Sequence, residues 1–295
     1  MSLIDAFVDS LVASGDYSPR SIRFYREQSR IAMDHLQGIN PDADPRTLSE
    51  DDLRALVLFF RSRFTVSTQR NYLAGLRKLC EFCDNDVFSR MHIIYQTDTR
   101  PNVDWLSYTD ALHLLSVPMP PLESLVVCLE LEHGLRRVEV IRLRTEDVHL
   151  QDGYLTVRGK GRIGGKLRNV PFHPDFRSIY NRWMKERKQI IRRTTEGRTD
   201  RVLCYAQGGK LRQYEELKGG AIDNRLHKVS KTTGIQFSNH TLRRTFGREL
   251  FRSGVDIVVI ANILGHVSTV QTMKYLGLDL EDMTAAMSKM RLRKD

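Results

Sequence analysis

The sequence predicts a mainly α chain with a small antiparallel β-sheet, divided into a helical first domain and a mixed α+β second domain. Three observations carry that expectation. Apolar residues recur at helical spacing through the first hundred positions, with no strand-like alternation. The stretch 96–104 loses all apolar periodicity and contains Pro101, which suits a linker. Beyond it, GYLTVRGKGRIGGKLRNVPF at 153–172 switches to alternation on either side of a glycine-rich turn. The boundaries read as 1–98 for the first domain, 99–104 for the linker and 105–295 for the second.

In the first domain, Ile4, Phe7, Val8 and Leu11 form one apolar stripe. Ser18 and Pro19 restart the chain with a cap and a proline at the first helical position, leading into Ile22, Tyr25, Ala32 and Leu36. Ser49 precedes an acidic first turn, Glu50 to Asp52, and then Leu53, Leu56, Val57 and Phe60. Negative charge there complements the helix dipole. Ser67 is read as the cap of a further helix ending near Phe82, giving a bundle of about four helices. Cys80 and Cys83 form a CxxC, yet they share one apolar face with Tyr72, Leu76 and Leu79, where cysteine behaves as a small hydrophobe. Cys128 and Cys204 stand alone, so no metal site and no cofactor is expected.

In the second domain, Ser107 caps a short helix through Leu115, and the VPMPP turn separates it from a core helix, Leu122 to His133, which Gly134 ends. Arg136 and Glu139 follow at helical spacing. A surface ion pair and an arginine projected into a cleft are both open readings of them. Tyr154 to Arg158 and Leu167 to Val170 flank the hairpin turn that holds Lys160 and Lys166. This turn is no P-loop, because Leu167 stands where Mg²⁺ would require a hydroxyl. Asp175 to Arg201 reads as a basic helix, followed by a glycine-bearing loop after Leu203 and Tyr205, and by a helix near Ala221 to Thr233.

The stretch Ser238 to Gly254 reads as an amphipathic helix. Leu242, Phe246 and Leu250 lie on one face, with His240 and Arg243 held outward on another. Asp256 caps the next helix, Gly265 stops it, and His266 follows at once. A short helix from Ser268 or Thr269 carries Tyr275 and ends at Gly277. A terminal helix over 279–292 presents Leu280, Met283, Met287 and Met290 as an apolar stripe.

The formal charge of +10 is unevenly placed: residues 1–100 hold 13 Lys and Arg against 14 Asp and Glu, so the excess lies in the second half. That is the footprint of a nucleic-acid partner, with a merely solubilising surface as the alternative. Arg61, Arg63, Arg70, Arg77 and Lys78 cluster late in the first domain, either to grip a phosphate backbone or as a solvated helix face. No apolar run is long enough to span a bilayer, and MSLIDAFVDS carries Asp5 and Asp9 where a leader would be basic. A cytoplasmic protein without a membrane partner is expected.

Two guanidiniums can neutralise a phosphodiester as charge builds on it, a phenol can attack phosphorus, and lysine and histidine can move the protons. In order along the chain, GLRRVEV at 134–140, the GKG hairpin, HTLRRTF at 240–246 and LGHVSTVQTMKY at 264–275 resemble the tyrosine recombinase (phage integrase) family. The first domain is similar to that family's helical core-binding (SAM-like) domain. The resemblance implies that the second is a tyrosine recombinase catalytic domain, which cleaves and rejoins DNA through a 3′-phosphotyrosyl intermediate. It implies Arg136 and Arg243 as the clamp on the scissile phosphate, His240 and His266 as further phosphate and proton-handling groups, and Glu139 as their support. It implies Tyr275 as the nucleophile and Lys160 as general acid for the leaving 5′-oxygen.

The hairpin is longer than usual and holds Lys166 as well as Lys160, so the general acid stays open between them, with Lys166 otherwise a DNA contact beside Arg61, Arg70, Arg77 and Lys78. Arg244 stands where the family often has histidine. The resemblance further implies a C-shaped clamp on double-stranded DNA and a tetramer on two synapsed sites, associated with the nucleoid. The terminal helix would dock into a neighbour. A simple Xer-like, two-domain member is expected, since no arm-binding domain precedes the first helix; dimer resolution and integration or excision of a mobile element both remain open. A type IB topoisomerase and a non-catalytic DNA-binding protein on the same fold are the rival readings.

Overall fold

The computed structural model describes residues 2–95, 104–159, 167–214 and 220–277, and the chain divides into two units, Met1–Arg100 and Pro101–Asp295. The first unit is built from α1 (Leu3–Ala13), α2 (Pro19–Ile39), α3 (Glu50–Arg63), α4 (Val66–Phe82) and the single turn α5 (Val87–Arg90). The first four open on Ser2, Ser18, Ser49 and Thr65, each hydroxyl accepting the N–H three residues on. Such a cap contributes about 1 kcal/mol. Ser67, the expected cap of α4, lies instead inside the helix. Only the extended Phe64 and Thr65 separate α3 from α4, so the hydroxyl available at the turn belongs to Thr65.

Apolar stripes on these helices meet in one core containing Phe7, Leu36, Leu53, Leu56, Phe60, Leu73, Leu76 and Leu79. Ser29 of α2 is buried and donates its hydroxyl to the Gly75 carbonyl of α4 at 2.8 Å, which fixes how the two helices cross. Cys80 belongs to this core, and burial pushes its thiol up to about 12. That suits the inert hydrophobe the sequence suggests.

The second unit begins with α6 (Tyr108–Ser116), capped by Ser107, and α7 (Pro121–Val127). The expected single helix to His133 is not uniform: α7 runs into a π-helical turn, Cys128–Glu132. After α8 (Arg137–Arg142) come β1 (Val148–His149), β2 (Tyr154–Arg158) and β3 (Leu167–Pro171), an antiparallel sheet in the order β1-β2-β3. Val157 faces Arg168 across β2 and β3. The two-residue β1 is too short to show any period in the sequence.

Helix α9 (Phe176–Arg192) is shorter than the expected 175–201. Its own side chains draw the following segment back: Arg187 donates to the carbonyls of Thr199 and Arg201, both at 3.0 Å, and the Trp183 indole to that of Val202 at 2.9 Å. The glycine-bearing loop proves to be a second hairpin, β4 (Cys204–Gln207) and β5 (Lys210–Gln213). Helices α10 (Ala221–Thr233), α11 (Asn239–Arg252), α12 (Ile257–Leu264) and α13 (Thr269–Leu276) complete the described chain.

Leu125, Leu129, Leu135, Val140, Leu155, Trp183, Leu203 and Leu242 form the centre of the second unit's core. Each contributes about 1.5–3 kcal/mol on burial. Phe246 and Leu250 of α11 pack instead on a smaller cluster, Ile260, Leu264 and Leu276, which seats α12 and α13 against α11. The terminal helix expected over 279–292, with Met283, Met287 and Met290, lies outside the described residues. So do Lys160, Lys166 and most of the expected linker.

Candidate active site

Two glycines place the catalytic candidates. Gly134 has φ +64°, and a side chain there would overlap the Phe246 ring, so only glycine lets the chain leave the π-helical turn this close to α11. Leu135 then donates back to the Leu129 carbonyl at 2.9 Å, and Arg136 becomes the residue that opens α8. Gly265, also at φ +64°, ends α12; a Cβ on it would stand 3.0 Å from the Arg168 guanidinium.

Glu139 lies at the centre of the group, 3 % exposed. Its carboxylate accepts from the Arg136 backbone N–H at 2.8 Å and from Arg136 Nη1 at 2.9 Å. Arg168 donates to both oxygens, at 3.0 and 2.8 Å, and Arg243 Nη1 stands 3.6 Å away. Burial alone would raise the Glu139 pKa, but the Arg168 fork, the Arg136 backbone N–H and the Arg243 charge hold it below the ordinary value. It is a carboxylate at neutral pH.

Arg243 departs from the outward orientation expected of it. Although α11 opens on a Ser238 and Thr241 capping box, Arg243 is 2 % exposed. It donates to the Gly134 carbonyl and, at 2.5 Å, to that of Leu264. These two chain ends leave carbonyls without helical partners, and a guanidinium between them satisfies both. Burial, with the Arg136 charge adding, lowers its pKa to about 10, so it remains a cation at neutral pH.

His266 Nε2 lies 3.3 Å from Arg243 Nη2, and its Nδ1 lies 2.9 Å from the Thr272 hydroxyl. A guanidinium can only donate, so Nε2 is the acceptor and Nδ1 carries the proton toward Thr272. Burial, followed by the Arg243 and Arg136 charges, lowers the His266 pKa to about 4. The ring is neutral near pH 7.

Tyr275 packs edge-on against His266, ring centroids 5.0 Å apart. The Arg243 and Arg244 guanidinium carbons stand 5.8 and 5.3 Å from its ring centroid. The phenol hydroxyl is buried and has no hydrogen-bond partner among the described residues. Burial raises its pKa, while Arg243 and Arg244 pull the other way.

Arg136 lines two adjoining clefts. One, of about 540 Å³, also has His240, Arg243, Asp223 and Asn239 in its wall. The other, of about 520 Å³, has Arg168, His266, Gln271 and Gly159. Gly159 immediately follows β2, so the root of the hairpin that carries Lys160 reaches this second cleft. Arg136, Glu139, Arg243, His266 and Tyr275 thus come together, with the exposed His240 on the adjoining wall.

The sequence reading missed Arg168 and Thr272. One signal for Arg168 was present: it stands on β3 opposite the buried Val157 and two residues from the buried Val170, on the core-facing side of the strand. An arginine there needs an acidic partner. In the first unit, Arg61 donates to the Ile94 carbonyl at 2.6 Å, Arg70 and Arg77 stand over the rings of Tyr95 and Phe88, and Lys78 pairs with Glu81 at 2.6 Å. Arg61, Arg70 and Arg77 are nevertheless exposed. Among the described residues, Glu132, His173 and Asp175 could together offer ligands to a metal ion, but none of them lines either cleft.

Two guanidiniums sharing a buried carboxylate, with a neutral imidazole and a phenol against them, can receive a tetrahedral dianion or monoanion and attack it. Residues 110–281 match the phage integrase family, so the chain belongs to that family, the tyrosine recombinases, and is a site-specific recombinase by that membership. It is similar to the tyrosine recombinase XerD of Listeria innocua, 26% identical over 290 residues that cover 92% of this chain and 93% of that protein. A crystal structure of the XerH site-specific recombinase bound to palindromic difH substrate, a post-cleavage complex, shares the fold at a TM-score of 0.68 and 18% identity, covering 91% of this chain and 79% of that one. The Tn1549 transposon integrase in complex with transposon right end DNA does so at 0.68 and 16%, covering 98% and 99%.

Proposed function

We propose that this recombinase cuts double-stranded DNA by attack of the Tyr275 hydroxyl on a phosphodiester held between Arg136 and Arg243. The observation that carries the reading is the buried, unpartnered Tyr275 hydroxyl beside Arg243 and His266. An orphaned polar atom costs about 1–3 kcal/mol, which is retained where a ligand completes it. In the step, the phenol oxygen to phosphorus bond forms as the bond to O5′ breaks. The phenol proton is lost and O5′ gains one, so the 3′-phosphotyrosyl ester conserves the energy needed for rejoining.

Arg136 and Arg243 meet the charge on the non-bridging oxygens, and His240 and His266 flank the phosphate from the two clefts. Lys160, next to Gly159, is the general acid for O5′, with Lys166 as the alternative. Glu139 supports the two arginines. The first unit serves as the core-binding domain and grips the backbone through Arg61, Arg70, Arg77 and Lys78, with most affinity coming from phosphate contacts and falling steeply with salt. Two synapsed sites carry four protomers, each lending its terminal segment, 279–292, to a neighbour, on the nucleoid in the cytoplasm.

The test is Tyr275→Phe on a nicked duplex that traps the covalent complex. The variant binds the DNA and forms no adduct; an adduct surviving the change moves the nucleophile elsewhere. Recombinant products from two intact sites separate this reading from a topoisomerase, which would only relax supercoils.

A further inference from the structure

Three consecutive carbonyls at the end of α12 each receive one arginine. Arg168 Nε donates to Ile263 at 2.7 Å, Arg243 to Leu264 at 2.5 Å and Arg136 to Gly265 at 3.3 Å. The same three guanidiniums surround Glu139. A helix C-terminus and a carboxylate are both negative, so they form a fixed two-sided mount for cations. Arg168 differs from the other two in one respect: its bidentate fork is aligned on both carboxylate oxygens. It also stands on β3, the strand that leaves the lysine-bearing hairpin.

We propose that Arg168 is a positioning residue: by occupying Glu139 and the Ile263 carbonyl, it leaves the charges of Arg136 and Arg243 available to a phosphate and ties the hairpin to the His266 segment. This rests on the reading of Arg136, Arg243 and Tyr275 as the catalytic group. One carboxylate among three cations leaves an excess of two positive charges, which matches the developing charge on a phosphodiester under attack. Without Arg168, Glu139 would pair more fully with Arg136 and Arg243 and draw them from the substrate. The seat of Gly265 against the Arg168 guanidinium would also be lost.

The experiment measures single-turnover adduct formation on the nicked duplex, DNA affinity and thermal unfolding for Arg168→Met, Arg168→Lys, Glu139→Gln and the Arg168→Met/Glu139→Gln double variant. Arg168→Met slows adduct formation roughly 100-fold, as expected of a small misplacement of reacting groups, and leaves DNA affinity unchanged. Arg168→Lys keeps the charge, loses the fork and stays slow although it unfolds at the parental temperature. The double variant loses less than the two single losses combined, because part of what Arg168 does runs through Glu139.

The pH profile supplies a readout that simple destabilisation would not move. With Arg168 gone, the buried Glu139 faces only Arg136, Arg243 and the neutral His266, so its pKa rises and the acid limb of the rate shifts toward neutral pH. Arg168→Met, or Arg168→Lys, cleaving at the parental rate overturns the positioning role while leaving Tyr275 as nucleophile. Fully additive losses in the double variant also overturn it, since Arg168 would then act wholly apart from Glu139. Adduct formation by Tyr275→Phe, by contrast, overturns the underlying reading of the site.

Discussion

Among the described residues of the first unit, the buried polar side chains are Ser29, Gln69 and Asn85, whereas the second unit buries Glu123, Glu130, Glu139, Asp147, Arg187, Arg243 and Arg248. The neutral groups are satisfied by backbone carbonyls of the same unit: Gln69 donates to that of Phe64 at 2.7 Å, and Asn85 to those of Pro45 and Leu48 at 3.0 and 3.1 Å. A helical bundle needs no more than this to close its core. Each buried ion costs several kcal/mol unless it is paired and hydrogen-bonded. Among its described residues the second unit buries seven carboxyl and guanidinium side chains, and Glu139 and Arg243 among them belong to the group proposed to hold the phosphate. The contrast separates a part whose interior has only to close from a part whose interior has also to hold charge in readiness.

The largest effect should come from removing a cation from that group. Arg243→Met is expected to slow adduct formation by roughly 100- to 1,000-fold, the scale of losing a donor aimed at developing charge. It should also cost about 3–5 kcal/mol of stability, because Glu139 and two carbonyls lose a buried partner. Single-turnover cleavage and DNA titration on the same preparation check it. An equal loss of binding and cleavage would reduce Arg243 to a DNA contact.

In the first unit the corresponding change is purely one of packing. Leu56 is fully buried on α3, and Leu56→Ala should cost about 2–5 kcal/mol from lost transfer energy and the cavity left behind. Followed by calorimetry, only the transition of the first unit should move. A matching fall in the melting of the second unit would erase the contrast drawn between them.

The two kinds of region also differ in how well a linear sequence displays them. A capping side-chain oxygen accepts from an N–H two or three residues on, so Ser18, Ser49, Ser107, Ser238, Asp256 and Ser268 were visible at the helix starts they occupy. Gly134, Gly265 and Gly277 were visible for the same reason. Three ordered motifs pointed to Arg136, Arg243, His266 and Tyr275. Burial of Arg243 could not be seen, because its partners lie 109 and 21 residues away, and Arg136 meets Gly265 across 129. Helical spacing says which face a side chain shares, but not whether another segment covers that face. The β4–β5 hairpin escaped because CYAQGGKLRQ at 204–213 has too few apolar residues to show alternation.

Smaller effects come from titration, and here the second unit predicts two slopes of opposite sign. Burial holds the Glu130 pKa well above 4.5, with Asp223 adding to the effect, and neither of its oxygens has a hydrogen-bond partner among the described residues. A raised carboxyl pKa stabilises the fold fully below the unfolded value and loses that contribution as pH rises through the folded value. Glu130→Gln should therefore change stability by only about 1 kcal/mol where the acid is already neutral, and should flatten that decline. His266 acts the other way. Lowered from 6.5 to about 4, it favours the unfolded state progressively as pH falls between those values, and His266→Gln should remove that acid loss. Unfolding free energies measured from pH 4 to pH 8 test both; parallel curves for parent and variants would refute them.

The smallest effect is expected at Lys78, which sharpens what the first unit contributes to binding. Its ammonium is paired with Glu81 at 2.6 Å, and the pair is largely solvated, the side chains 34% and 49% exposed. Lys78→Ala should therefore alter stability by no more than about 1 kcal/mol. On DNA the ammonium must leave Glu81 to reach a phosphate, so its net gain is smaller than that of Arg70, which stands over an uncharged ring. Arg70→Ala should reduce the slope of log affinity against log salt by about 1, uniformly across sequences. Lys78→Ala should reduce it by less, because Glu81 partly neutralises that charge in the free protein. Equal slopes for the two variants would mean that the Glu81 pair does not persist in solution, and that the first unit presents its cations without internal competition.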